Sequence, residues 1–244
     1  MTLVLLMTCF STPYIIAFAD ISDKGLQAFE YTIDLMFSID IIVIFNTVVY
    51  TEDYELIDSR KGIAILYLKG WFFIDLLAII PFDLILKASD LNLQMIRVAR
   101  VGRLYKLIKL TRLLRILKLI KDKAKLMKYL NKMLKVSLGF ERLFFFFLVS
   151  TIVMHITTCL FVIIAAVQDE EYKSTWVESI DDKNKDTSSA LYITSLYWTT
   201  TTFTTVGYGD ISATTNTEML FCIVMMIVGV IAFSYANGTL SSII

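Results

Sequence analysis

Residues 204–210 read Thr204-Thr205-Val206-Gly207-Tyr208-Gly209-Asp210. A half-length apolar run, 190–204, leads into them, and a long one, 217–240, follows. Thr205 to Gly209 offer successive backbone carbonyls and a threonine hydroxyl. Glycines at 207 and 209 permit the dihedrals that aim consecutive carbonyls at one axis. At membrane depth, irregular backbone is tolerated only where it lines a cavity or is buried in protein. The stretch therefore predicts a re-entrant segment between two membrane helices rather than a soluble glycine turn.

The rest of the chain agrees with a membrane setting. Of its 244 residues, 57% are apolar, against about 45–50% in an ordinary soluble domain. Several runs approach the roughly 20 residues needed to cross about 30 Å of hydrocarbon. The expected fold is an all-α membrane protein with six transmembrane helices plus a re-entrant pore helix and selectivity filter. The spans read as 3–19, with Pro13 as a kink, then 26–49, 67–86, 93–121, 140–167 and 217–240, with the short helix at 190–204. Two prolines and nine glycines suit such a helical chain. Cys9, Cys159 and Cys222 each fall inside an apolar run without metal-ligand spacing, so they read as buried thiols. No cleavable leader is evident, and the first run starts at Met1, as if partway into a helix.

Net charge is zero, but the charges are segregated. Lys123, Lys125, Lys128, Lys132 and Lys135 crowd the connector 122–139, which is expected to be cytoplasmic. The loop 168–189 holds Asp169, Glu170, Glu171, Glu178, Asp181, Asp182 and Asp186, which places it outside. Six crossings then put both termini in the cytoplasm. This gives three parts: a voltage-sensor domain over 1–121, a linker over 122–139 and a pore domain over 140–244.

The run 93–121 breaks the hydropathy expected of a span. Arg97, Arg100, Arg103, Lys106, Lys109, Arg112, Arg115, Lys118 and Lys121 recur at every third residue without a gap, and the positions between are almost all apolar. At about 100° per residue, a three-residue step drifts about 60° backwards, so on an α-helix the charges wind as a shallow stripe. On a 3₁₀ helix they align in one row. Residues 97–121 extend about 36 Å at about 1.5 Å per residue. An interfacial amphipathic helix also mixes basic and apolar residues, but it groups the charges on one stable polar face. Charges inside a span are expensive and mark function, so the ladder is read as voltage sensing. One charge crossing the full field contributes about 2.3 kcal/mol per 100 mV. About three per subunit supply roughly 7 kcal/mol, enough to switch a helix between two positions.

Such a ladder needs counter-charges. The second helix offers Glu30, Asp34 and Asp40, and the third offers Asp75. Phe37 lies one turn before Asp40 and faces nearly the same way. An aromatic plug beside two acids lets one cation at a time pass a dry constriction.

In the pore, rings of carbonyls from four subunits can replace the hydration shell of a potassium ion, and Thr205, Val206, Gly207, Tyr208 and Gly209 are the candidate ligands. Potassium at the filter is the only metal expected. Trp198 and Tyr208 are expected to pack behind the filter and hold its width, with Asp210 as further support. Gly229 is a candidate gate hinge, and Gly238 lies near the cytoplasmic mouth. Glycine in a spanning helix also serves plain packing.

With these residues in view, the whole chain resembles the transmembrane region of the voltage-gated channel superfamily. It is most similar to the branch of ether-à-go-go, plant inward-rectifying, hyperpolarisation-activated and cyclic-nucleotide-gated channels. Phe37-Ser-Ile-Asp40-Ile with Phe45 and Thr47 resembles that branch's second helix. Trp71-Phe-Phe-Ile-Asp75 through Ile80-Pro81-Phe82-Asp83 resembles its third, and His155-x-x-x-Cys159 its fifth. The long ladder resembles the hyperpolarisation-activated members, and Glu30, Asp34 and Asp40 match the acidic spacing of ether-à-go-go sensors. The resemblance implies a homotetramer, with heteromers open, in which each sensor packs against its own subunit's pore without domain swapping. It also implies a cytoplasmic cyclic-nucleotide-binding-like domain beyond Ile244 and a structural role for His155.

The expected function is a voltage-gated, potassium-selective ion channel in the plasma membrane. The chain is not expected to be an enzyme, to carry a cofactor of its own, or to bind nucleic acid or a small-molecule substrate. Two alternatives stand beside this. One is a cyclic-nucleotide-gated or hyperpolarisation-activated cation channel of lower selectivity, against which the intact Thr205–Gly209 string argues. The other is a non-conducting regulatory subunit.

Overall fold

The computed structural model describes residues 2–18, 24–50, 56–79, 110–121, 126–127, 138–168, 174–181 and 187–241. Helices dominate them. In order these are α1 (Thr2–Phe18), α2 (Lys24–Phe45), α3 (Arg60–Lys69), α4 (Phe72–Ile79), a 3₁₀ turn (Leu110–Leu114), α5 (Arg115–Lys121), α6 (Leu138–Gln168), α7 (Ser188–Phe203) and α8 (Asn216–Ser241). One small departure from an all-α reading is a two-residue antiparallel pair, β1 (Val49–Tyr50) with β2 (Leu56–Ile57), in the register Val49 to Ile57 and Tyr50 to Leu56.

Local chemistry explains the helix ends. The second helix stops at Phe45 rather than running to 49. There Asn46 Nδ2 and Thr47 Oγ1 donate to the carbonyls of Ile42 (2.9 Å) and Val43 (2.7 Å), so side chains satisfy its last turn. The third span was expected as one helix over 67–86, and its described part is instead two. Ser59 caps α3, its hydroxyl accepting from Gly62 N, and Gly70 closes α3 with its N–H on Tyr67 O at 3.1 Å. The chain then bends by 71° into α4. A glycine at the break permits that turn, and hydropathy alone carries no trace of it. Pro13 lies inside an unbroken α1.

Within α6 and α8 the stretches Gly139–Gln168 and Asn216–Gly238 are long and apolar enough to cross a membrane, and the bent α3–α4 pair qualifies if taken as one span. The 17-residue α1 is apolar but shorter. The 22-residue α2 is interrupted by Glu30, Asp34 and Asp40.

Helix α6 is the spine, packed against α1, α7 and α8. One core joins Leu5, Cys9, Ile33, Phe37, Leu119, Leu126, Met127 and Ile152, tying α1, α2 and α5 to α6. A second core, with Phe161, Trp176, Leu191, Trp198 and Cys222, ties α6 to α7, α8 and the 174–181 loop. The three cysteines are buried and free. His155 joins the two halves: Nε2 lies 2.8 Å from Phe10 O on α1, and Nδ1 lies 2.8 Å from Tyr192 Oη on α7.

Candidate functional site

Glu30, Asp34 and Phe37 follow one another at four- and three-residue steps, so they share one face of α2. All three are buried. Asp40 follows one turn later. Asp75 stands in the first turn of α4, also buried. Against this face runs the end of the ladder. Arg112 lies in the 3₁₀ turn, while Arg115 and Lys118 lie in α5. The single-row alignment possible for a 3₁₀ helix therefore applies to one described cation, and the α-helical geometry to the next two.

The contacts descend in parallel along both helices. Arg112 Nη1 is 2.7 Å from Glu30 Oε2, and its Nη2 is 3.4 Å from Asp34 Oδ2. Arg115 Nη2 pairs with Asp34 Oδ1. Its Nη2 and Nε also donate to the Ala78 carbonyl at 2.9 and 3.2 Å. Lys118 Nζ is 2.7 Å from Asp40 Oδ2 and 3.6 Å from Asp75 Oδ1. Between the two levels lies the Phe37 ring, 5.0 Å from Arg115 Cζ and 5.2 Å from Lys118 Nζ, within cation–π range. Phe37 is 2% exposed, so the space between the levels is filled by a ring rather than by water. Burying ions is costly unless each is paired and hydrogen-bonded, and here Arg112, Arg115 and Lys118 each have such partners. Tyr67 Oη donates to Asp75 Oδ2 at 2.6 Å.

The five expected sensor residues Arg97, Arg100, Arg103, Lys106 and Lys109 lie outside the described residues, and Lys121 ends α5. The sequence reading missed Tyr67 and the Ala78 carbonyl. The Tyr67 contact depends on the α3–α4 bend, which leaves no pattern in the chain.

The second constellation follows α7. The backbone of Thr205, Gly207 and Gly209 takes φ of 62°, 56° and 78°, while Val206 and Tyr208 do not share that region. A backbone alternating in this way can present successive carbonyls to one side. Nothing lies within 4 Å of a Cβ built at Gly207 or Gly209, so φ, not space, demands glycine there. The Val206 and Gly207 amides both donate to Thr201 O, at 2.9 and 3.1 Å, and anchor the start of the loop to α7. The loop itself is exposed in the single chain, with Tyr208 at 71%.

Trp198 is buried and stacks on Phe161 of α6 (4.0 Å, 19°), which stacks in turn on Trp176 (4.4 Å, 4°). The aromatic beside the loop is its neighbour Tyr197, whose hydroxyl donates to Asp210 Oδ2 at 2.7 Å and whose ring lies parallel to Tyr208 at 6.4 Å. Adjacent residues on a helix point about 100° apart, so hydropathy does not decide between Tyr197 and Trp198. Glu218 was also missed. It is fully buried and accepts from Thr214 N (2.9 Å), Thr214 Oγ1 (3.1 Å), Thr215 N (3.2 Å) and Trp176 N (3.3 Å). Thr215 Oγ1 accepts from Glu218 N in return. The signal was present, since Thr215-x-x-Glu218 is a capping box opening α8.

Helix α8 runs unbroken through Gly229 and Gly238. A Cβ at Gly229 would lie 3.2 Å from Phe203 Cα and 3.3 Å from Thr202 O, so close packing on α7 accounts for glycine there; at Gly238 nothing lies within 4 Å.

The family described as ion transport protein matches residues 1–244. Relatives include the potassium voltage-gated channel unc-103 of Caenorhabditis elegans, 28% identical over 99% of this chain and 30% of its own length. The human voltage-gated inwardly rectifying potassium channel KCNH6 is 29% identical over 99% of this chain and 26% of its length. The potassium channel AKT2/3 of Arabidopsis thaliana is 30% identical over 100% of this chain and 29% of its length. The chain thus spans less than a third of each of these relatives. They fall in the ether-à-go-go and plant channels of the expected branch.

Proposed function

Since this chain belongs to the ion transport protein family, an integral membrane family, we propose that it is the membrane core of a voltage-gated, potassium-selective channel. The observation that carries the reading is the pairing of three successive ladder cations, Arg112, Arg115 and Lys118, with one row of acids on the two sides of Phe37. Each level of this row offers carboxylate oxygens to a cation. A shift of the ladder by one repeat, about 4.5 Å on an α-helix, brings Arg115 to the Asp40–Asp75 level and a preceding cation to Asp34. Each well is refilled, so the ladder has discrete positions, and membrane voltage biases them because each step carries charge. Arg97, Arg100, Arg103, Lys106 and Lys109 extend the same repeat, and Lys121 follows it.

In the pore, α7 serves as the re-entrant helix, and Thr205–Gly209 coordinate potassium ions through backbone carbonyls and the Thr205 hydroxyl. Four copies are needed to close a ring of such carbonyls. The large apolar side chains that α8 exposes, among them Leu220, Ile223, Ile227 and Ile231, suit contact with other copies and lipid. Residues 1–121 act as the sensor, 122–139 as the cytoplasmic coupling linker and 140–244 as the pore, with both termini cytoplasmic at the plasma membrane. His155, bonded to α1 and α7, gives the sensor a polar tie to the pore of its own subunit, in keeping with a non-swapped homotetramer. A gate on α8 flexes at Gly238, where the backbone is uncrowded, or at Gly229 once it separates from α7. The cyclic-nucleotide domain implied by the resemblance remains part of the proposal.

Voltage-clamp steps on the full-length gene test this reading. Neutralising Arg100, Arg103 and Lys106 together is expected to flatten the voltage dependence of the potassium current. Unchanged voltage dependence would remove the sensor assignment.

A further inference from the structure

Asp75 serves the ladder with one oxygen only. Oδ1 faces Lys118 Nζ at 3.6 Å, while Oδ2 accepts the Tyr67 hydroxyl at 2.6 Å. Tyr67 and Asp75 are eight residues apart. In a straight helix that separation is about 12 Å along the axis, beyond reach of a single hydrogen bond. The 71° bend at Gly70 folds α3 back so that the phenol meets the carboxylate. The ring is then fixed by two edge contacts: Phe45 at the end of α2 (5.1 Å, 80°) and Phe72 at the start of α4 (5.7 Å, 79°). Phe45 and Phe72 also meet each other, at 5.9 Å and 66°. Tyr67 is therefore buried, its ring is oriented from three helices, and its hydroxyl points at an acid of the charge row.

We infer that Tyr67 is a positioning residue of the charge-transfer site, holding the Asp75 carboxylate so that one oxygen is presented to whichever ladder cation lies below Phe37. The inference rests on the voltage-sensing reading. A carboxylate rotamer fixed by a short hydrogen bond does not turn away as a cation leaves, so each arriving cation meets a ready partner. Without the hydroxyl, Asp75 loses that bond and is free to rotate. Every occupant of the lower level is then held less firmly, and passage past Phe37 starts from a shallower well.

The test is gating-current recording on the full-length channel and its Tyr67→Phe variant, which keeps the ring and removes only the hydroxyl. Y67F is expected to speed charge movement in both directions by about tenfold or more, the scale of a lost hydrogen bond to a charged group, with total charge per channel unchanged. In an Asp75→Asn background the same substitution is expected to have no further effect. If D75N does not reach the surface, Asp75→Ala provides the second background, since it too removes the carboxylate that Tyr67 holds. Kinetics unaltered by Y67F, or a Y67F effect of equal size in both backgrounds, would overturn the inference and leave the sensor reading intact. A channel with no gating charge at all would overturn both.

Discussion

Replacing Arg115 by lysine probes the charge row without changing its charge. Arg115 pairs with Asp34 and also donates twice to the Ala78 carbonyl, from Nη2 at 2.9 Å and Nε at 3.2 Å. A guanidinium can do all of this with its rigid fork; an ammonium is a single point charge on a flexible stem. Lysine keeps the pair with Asp34 and gives up the forked contact with Ala78. Hydrogen bonds to charged groups are worth about 1.5–3 kcal/mol, and the two from Arg115 share one acceptor oxygen, so counted as a single bond they give a loss of about 2 kcal/mol per sensor for the position seen here. One step inward, residue 115 occupies the Asp40–Asp75 level, which Lys118 fills now and which a lysine suits equally well. The substitution therefore penalises the outward position selectively. With about three charges moved per sensor, 100 mV supplies roughly 7 kcal/mol, and a 2 kcal/mol penalty corresponds to a shift of about 30 mV. In the proposed topology the Lys118 end is cytoplasmic and depolarisation drives the ladder outward, so the shift is toward positive voltages. Charge–voltage curves from gating currents of Arg115→Lys in the full-length channel measure it directly. A midpoint within a few millivolts of the parent, or a shift to negative voltages, would refute the assignment of Arg115 to the level above Phe37.

Two further outcomes follow from the pore half. Gly207→Ala forces a Cβ into a backbone at φ 56°, a strain of about 1–2 kcal/mol in each subunit; potassium current or its selectivity over sodium is expected to be lost, and an unaltered reversal potential would count against the filter assignment. Glu218→Ala strips three backbone amides of their buried acceptor and, at about 1–3 kcal/mol for each amide left unsatisfied, is expected to lower the melting temperature of the purified protein, whereas Glu218→Gln, which retains an acceptor, is expected to fall less; equal melting of Glu218→Ala and the parent would contradict the capping role.

The features legible in the chain were those set by repetition or by one residue's backbone freedom. The three-residue ladder, the acids at 30, 34 and 40 with Phe37 among them, and the left-handed glycines at 207 and 209 are local patterns. Helical geometry converts spacing into facing with no knowledge of the partner. That is why the described helices α2, α6, α7 and α8 fall within a few residues of the expected spans. The difficulties lay where two distant segments meet. Trp198 and Tyr197 are equally aromatic neighbours on one short helix, and only the position of α6 assigns Phe161 to the first and leaves Tyr208 and Asp210 to the second. Tyr67 looks like an ordinary apolar-run aromatic until the bend at Gly70 delivers it to Asp75.

The division has a physical basis. Sequence by itself determined the inventory: an apolar chain of helices, a row of cations too costly to bury unpaired, acids able to receive them and a loop whose backbone suits carbonyl display. Pairing was beyond its reach, because a Coulomb contact depends on separation in space and not along the chain. Tertiary structure decided which cation meets which acid: Arg112 at Glu30, Arg115 at Asp34 and Lys118 at Asp40, with the Phe37 ring between the upper and lower levels.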